Sequence, residues 1–185
     1  MRSFLVLFNE LPINKTSVKK GENSPQVVIA ARCVNVGLFL SNDLRRDVKV
    51  IIGILHNKEL KTISFPGDTL RRVSPDERSI AFFLLKASTA LDTLSENSEQ
   101  VMDNGIVLKR TSLNNLVSDW PYGQVFFASN DSKSNISDLK ASEGLFIYPI
   151  TQETPSFLGK FGALRCTSSP ERFILDINMH FDSKE

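Results

Sequence analysis

Residues 24–55 read SPQVVIAARCVNVGLFLSNDLRRDVKVIIGIL. Ser24-Pro25 is a helix start, a hydroxyl cap followed by a proline whose fixed φ suits the first turn. From Val27 to Leu40 the stretch is nearly continuous apolar sequence, broken by Arg32 and Asn35. A helix this apolar must be covered on several sides, by a sheet and, as a second option, by another subunit. Val48 to Leu55 then reads as a strong strand.

Working outward, Phe4 to Phe8 is a short buried strand, and Asn9 to Asn23, with Lys15, Lys19 and Lys20, reads as a polar loop. Leu60 to Phe65 is another strand, with Lys61, Thr62 and Ser64 interleaved, and Pro66-Gly67-Asp68 turns the chain. Ser74-Pro75-Asp76-Glu77 predicts a helix with Pro75 at its first position and acids in its first turn, running to about Leu91. Ser95 to Gly105 is polar and fits helix or loop. Further strands are expected at Ile106–Leu108, Val125–Ala128, Leu145–Tyr148 and Ala163–Cys166. Short helices are expected after Ser112 and at Ser156–Lys160, and a final one from Pro170 to about Phe181. Strands alternating with helices predict an α/β sandwich around a largely parallel sheet. With no linker or internal repeat in 185 residues, a single domain over 1–185 is expected.

The charge balance, 22 Lys+Arg against 21 Asp+Glu, argues against a long indiscriminate nucleic-acid surface but allows a local basic patch. Two cysteines, Cys33 and Cys166, are too few for a disulfide framework, and with His56 and His180 they lack metal-site spacing, so no metal is expected. The apolar N-terminal run is too short for a secretory leader, and no stretch has membrane-spanning length. A cytoplasmic protein with no membrane partner is the expectation.

Three segments carry a resemblance. They are Ala31-Arg32-Cys33-Val34-Asn35 with Leu38-Phe39-Leu40-Ser41, then Asp43-Leu44-Arg45-Arg46-Asp47-Val48, then Ser74-Pro75-Asp76-Glu77-Arg78-Ser79. In order and spacing they resemble the archaeal-type tRNA pseudouridine-54 N1-methyltransferases, members of the SPOUT superfamily. The resemblance implies a SPOUT-like α/β/α sandwich whose second half forms a trefoil knot around S-adenosylmethionine, and a homodimer that binds tRNA across both subunits. It implies cofactor contacts at Ala128, at Tyr148 and Pro149, and at Thr167, Ser168, Ser169 and Pro170. The family shows Leu-Gly-Asp where this chain has Tyr148-Pro149-Ile150, and Ser-Leu-Gly-Pro where it has Thr167-Ser168-Ser169-Pro170. It carries an aspartate where this chain has Val28, so the general base stays unassigned. The sequence therefore leaves three readings open: an active methyltransferase of this kind, a divergent relative that keeps the fold and an RNA surface, or a knotted methyltransferase acting on a different RNA base.

Arg32, Asn35 and Asp76 are the catalytic candidates. Arg32 and Asn35, three residues apart, share a helix face. Arg32 is read either as contacting RNA or as paired with Asp43, Asp47 or Asp76. Arg46 and Asp47 are read as a structural pair. Arg45, Arg46, Arg71, Arg72 and Arg78 are the candidate RNA contacts, since phosphate recognition is charge-driven and tolerant of position. Trp120-Pro121-Tyr122 is a candidate dimer contact.

Overall fold

A computed structural model describes residues 1–121, 123–150 and 156–183 of the chain. Its centre is β1 (Arg2–Phe8), with all seven residues buried. Parallel strands flank it on both sides: β2 (Val48–His56), with Ser3 opposite Lys49, and, from late in the chain, β7 (Gly144–Pro149), with Leu7 opposite Pro149. This is why β1 reads as a continuous apolar run rather than an alternating one.

Between β1 and β2 lie α1 (Lys15–Lys20) and α2 (Pro25–Leu38). After β2 come β3 (Glu59–Pro66), α3 (Glu77–Thr93), β4 (Glu99–Val101), β5 (Val107–Ser112) and α4 (Leu113–Ser118). β6 (Val125–Ser129) precedes β7, and β8 (Gly162–Arg165) precedes α5 (Pro170–Asp182). The sheet order is β4-β5-β3-β2-β1-β7-β6-β8. The block β2-β1-β7-β6-β8 is parallel, while β3, β5 and β4 extend it as an antiparallel meander. The mainly parallel sandwich is therefore observed, with an antiparallel wing on one side.

Three local expectations need correction. The polar stretch 9–23 contains a helix, α1, because Asn14 accepts from the Ser17 N–H at 3.0 Å and Gly21 closes it with φ 74°. A single buried apolar residue, Val18, gives no readable period. α3 begins at Glu77, two residues later than Pro75 suggests, because Asp76 is the cap and accepts from Ser79 N at 2.8 Å. Ser74 N–H instead donates to the Ser79 hydroxyl. Finally, β4 is a strand with all three residues exposed. It forms by pairing with the open edge of β5, a tertiary cause without a local signal.

Alternation along β1 splits the core. Phe4, Val6 and Phe8 join the larger cluster with the buried residues of α2, α3 and α5. Leu5 and Leu7 face the other way, into a smaller cluster with Ile51, Leu60, Leu145 and Ile147, closed by α4 residues and Leu158.

Candidate cofactor cleft and arginine-bearing surface

The parallel strands end together at one edge of the sheet. There, beyond β6, β7 and β8, lies a cleft of about 250 Å³ lined by Ala128, Asn130, Asp131, Tyr148, Pro149 and Cys166, among others. A second hollow of about 380 Å³, lined by Phe8, Asn9, Gln26 and Ile150, is carried by the next residue of the same chain end. Crevices outside the carboxyl ends of parallel strands, where connections diverge to both sides, are where open α/β sheets bind ligands.

Local chemistry explains each wall. Pro149 has no N–H to give the ladder, so it sits at the strand end, and pairing resumes with Ile150 N–H donating to Leu7 O at 2.8 Å. Tyr148 donates its hydroxyl to Ser168 O at 2.6 Å and packs its ring on Phe173, centroids 5.7 Å apart. Burial raises the pKa of this phenol, and the neighbouring Cys166, Glu171 and Cys33 raise it further. The Cys166 Sγ lies 3.5 Å from the Ser168 Oγ, so Ser168 is fastened from two sides. Thr167 and Ser169 flank it, and Pro170 is buried at the first turn of α5. Ala128, Tyr148 and Pro149 thus line one cleft, and the 167–170 loop is tied to it through Ser168.

Sequence reasoning missed the remaining walls. Ser129, Asn130 and Asp131 were not singled out, although their place just past a parallel strand was the available signal. It also passed over Glu171, whose Oε2 is buried with no hydrogen-bond partner. The negative charge of Glu171 adds to burial in raising the pKa of Cys33. The Glu171 charge also bears on Tyr148, so the carboxylate lies behind the tyrosine wall and does not line the cleft itself.

The arginines and catalytic candidates lie on other surfaces. Arg32 is exposed and has no ion-pair partner among the described residues, against the pairing with Asp43, Asp47 or Asp76. Asn35 donates to the Pro75 carbonyl, so it meets the residue preceding Asp76 where α2 borders the start of α3. Asp76 is occupied as the α3 cap. The Arg46–Asp47 pairing is replaced: Arg46 reaches Asp43 at 3.4 Å and the Gly67 carbonyl at 3.2 Å, while Asp47 binds Arg2 at 2.8 Å. Arg45 donates to Asp182 at 2.9 Å and is largely buried. Arg71, Arg72 and Arg78 lie at the surface. Trp120 is half-buried beside α4, and Tyr122 lies outside the described residues.

Arg2 was overlooked as well. Its side chain is 3% exposed and donates to Asp47, to Asp182 at 2.8 Å and to the Asn178 carbonyl. Burial disfavours its charge, but the hydrogen bonds to Asp47 and Asp182 prevail and hold its pKa above the usual value.

A family model described as a putative SAM-dependent RNA methyltransferase matches residues 1–177. The chain belongs to this family. Among curated relatives of the methyltransferase, the tRNA (pseudouridine(54)-N(1))-methyltransferase of Methanocaldococcus jannaschii is 31% identical over 152 residues, covering 77% of this chain and 74% of the relative. That of Methanococcus vannielii is 28% identical over 184 residues, covering 92% and 90%. That of Methanocella arvoryzae is 52% identical over a shorter span of 60 residues, covering 32% and 31%. The crystal structure of Archaeoglobus fulgidus Nep1 bound to S-adenosylhomocysteine superposes with a TM-score of 0.62 at 11% identity, covering 98% of this chain and 97% of that one. Its likeness is one of fold. Among the described residues, no helix is long and apolar enough to cross a membrane, and no group of three or more His, Cys, Asp or Glu could hold a metal ion.

Proposed function

We propose that this methyltransferase transfers a methyl group from S-adenosylmethionine to N1 of pseudouridine 54 in the T-loop of tRNA. What carries the reading is similarity to enzymes of that name over 92% of the chain. The cleft at the ends of β6, β7 and β8 supports it, because the residues there suit the cofactor. Ala128, Tyr148 and Pro149 would hold it, with the 167–170 loop at its side. When bound, the cofactor supplies an electrophilic methyl carbon on a sulfonium.

The protein's own residues then have distinct tasks. Tyr148, fastened to Ser168, holds the loop against the strand ends and keeps water from that wall. The buried Glu171 carboxylate adds negative potential behind the Tyr148 wall. Arg32 is free to meet RNA and stands beside Asn35 and Asp76, which hold the α2–α3 border in shape. Arg71, Arg72 and Arg78 are proposed phosphate contacts. Arg45 and Arg46 are proposed to act mainly by shaping the turn that precedes β2. In this reading the fold carries a C-terminal trefoil knot, the enzyme is a homodimer, and it works in the cytoplasm.

The test is direct. Purified protein is incubated with S-adenosylmethionine and a tRNA carrying pseudouridine 54, and the digested RNA is examined by mass spectrometry for N1-methylpseudouridine. Calorimetry with S-adenosylmethionine accompanies it. Methylation at position 54 with saturable cofactor binding is expected. Absence of product, with no cofactor binding at millimolar concentration, overturns the reading in favour of a non-catalytic relative.

A further inference from the structure

The second face of the sheet carries residues that its neighbours do not predict. On that face β1 places Leu5 and Leu7, β2 places Ile51, and β3 places Leu60. By alternation, Ser3, Lys49, Thr62, Ser64 and Lys109 share the same face. They line a cavity of about 500 Å³ that Trp120 also lines. A polar band therefore crosses a face that is otherwise apolar.

The polar groups in the band are incompletely matched. Ser3 is 0% exposed, and its Oγ has no hydrogen-bond partner. Lys49, its neighbour across the β1–β2 ladder, is half-buried and has no ion-pair partner among the described residues. Lys109 lies 3.8 Å from Asp119, and Glu99 sits opposite Lys109 in the β4–β5 ladder. Two lysines thus face two carboxylates. A polyanionic groove is excluded, and Lys49 and the Ser3 hydroxyl are left as unmatched donors for one small anion. Trp120 offers an aromatic wall, and nucleobases stack on aromatic side chains. The exposed carboxylates are acceptors suited to an exocyclic amine.

We propose that this cavity binds one nucleotide, with its phosphate at Lys49, Ser3 and Ser64 and its base against Trp120. The inference rests on the RNA-methyltransferase reading for its source: the nucleotide belongs to the substrate RNA. It is not the base to be methylated. Ser3 lies four residues before Leu7, the partner of Pro149 in the cofactor cleft, a span of about 13 Å along the strand.

Trp120 is the one tryptophan in the chain, so its fluorescence reports on this cavity. The wild-type protein is titrated with adenosine monophosphate, adenosine, inorganic phosphate and a tRNA transcript. Saturable quenching by the monophosphate is expected, with adenosine weaker by at least about tenfold. Lys49→Ala and Lys49→Gln should each weaken the monophosphate by a similar factor while leaving calorimetric S-adenosylmethionine affinity unchanged. The transcript should displace the monophosphate. No saturable quenching at millimolar monophosphate, or wild-type affinity in both Lys49 variants, overturns the site. Saturable monophosphate binding that the transcript leaves undisturbed overturns the RNA source and assigns the cavity to a free mononucleotide. Wild-type methylation of tRNA without any quenching sinks this inference alone. Quenching without methylation sinks the functional reading and leaves the nucleotide site standing.

Discussion

Ser3 and Phe4 are neighbours in β1 and point to opposite faces of one sheet. Both are 0% exposed. Phe4 packs against Phe146, ring centroids 5.6 Å apart, under a layer of three helices. Ser3 buries a hydroxyl that satisfies nothing. Equal burial therefore has opposite meanings on the two faces: on one it is packing, on the other it is unmet polarity beside a cavity. The difference teaches that the helix-covered face holds the fold and the second face has been left partly unfilled.

Four variants probe that contrast. Phe4→Ala should lose about 3–5 kcal/mol in urea unfolding, because it empties the packed face. A loss below ~1 kcal/mol would break the comparison at its strong end. Asp182→Asn should cost about 2 kcal/mol, since it removes one of the two carboxylates that satisfy the buried Arg2. Stability unchanged within ~0.5 kcal/mol would show that Asp47 suffices. Tyr148→Phe should cost about 1 kcal/mol at neutral pH, through the lost hydrogen bond to Ser168. The phenol's pKa is raised in the folded state, so the stability linked to it is present below about pH 10 and is lost as pH climbs towards the raised value. The unfolding curves of the wild type and the Tyr148→Phe variant should therefore converge at alkaline pH, and parallel curves would refute the burial of that group. Ser3→Ala should have the smallest effect, from none to a gain of ~1 kcal/mol, because it deletes an unsatisfied hydroxyl. A loss beyond ~1 kcal/mol would mean the hydroxyl is satisfied, and the two faces would be alike.

Much of this was legible in the chain. The caps Ser24 and Ser112, and prolines at the first turns of α2 and α5, placed helices because capping is local chemistry. The order of strands and helices announced a mainly parallel sheet. What escaped reading was set by partners distant in sequence. β4 exists because β5 offers an edge. Arg2 is a structural residue because Asp47 and Asp182 converge on it. Of the residues that line the cleft, Ala128, Tyr148 and Pro149 had been singled out through the resemblance as cofactor contacts, whereas Asn130, Asp131 and Cys166 had not, since nothing local distinguishes a cleft wall from an ordinary loop. The polar band on the second face was written in Lys61, Thr62 and Ser64, but only the sheet order shows that Thr62 and Ser64 join Ser3 and Lys49 while Lys61 points away.

One end of α5 is bolted and the other is at work. Asp182 is gripped by Arg2 and Arg45, and Asn178 donates to the Gly37 carbonyl at 3.1 Å, a spot where Gly37 lies so close to Val50 that no larger residue fits without displacing it. The helix has 13 residues, a rigid rod of about 20 Å. Its far tip, at Pro170 and Glu171, follows the loop whose Ser168 is held by Tyr148 of the proposed cofactor cleft. The anchor acts as a datum from which that tip is measured, so a change at Arg2, Gly37 or Asp182 is felt as a misplaced loop about four helical turns away, in a part of the enzyme none of them touches.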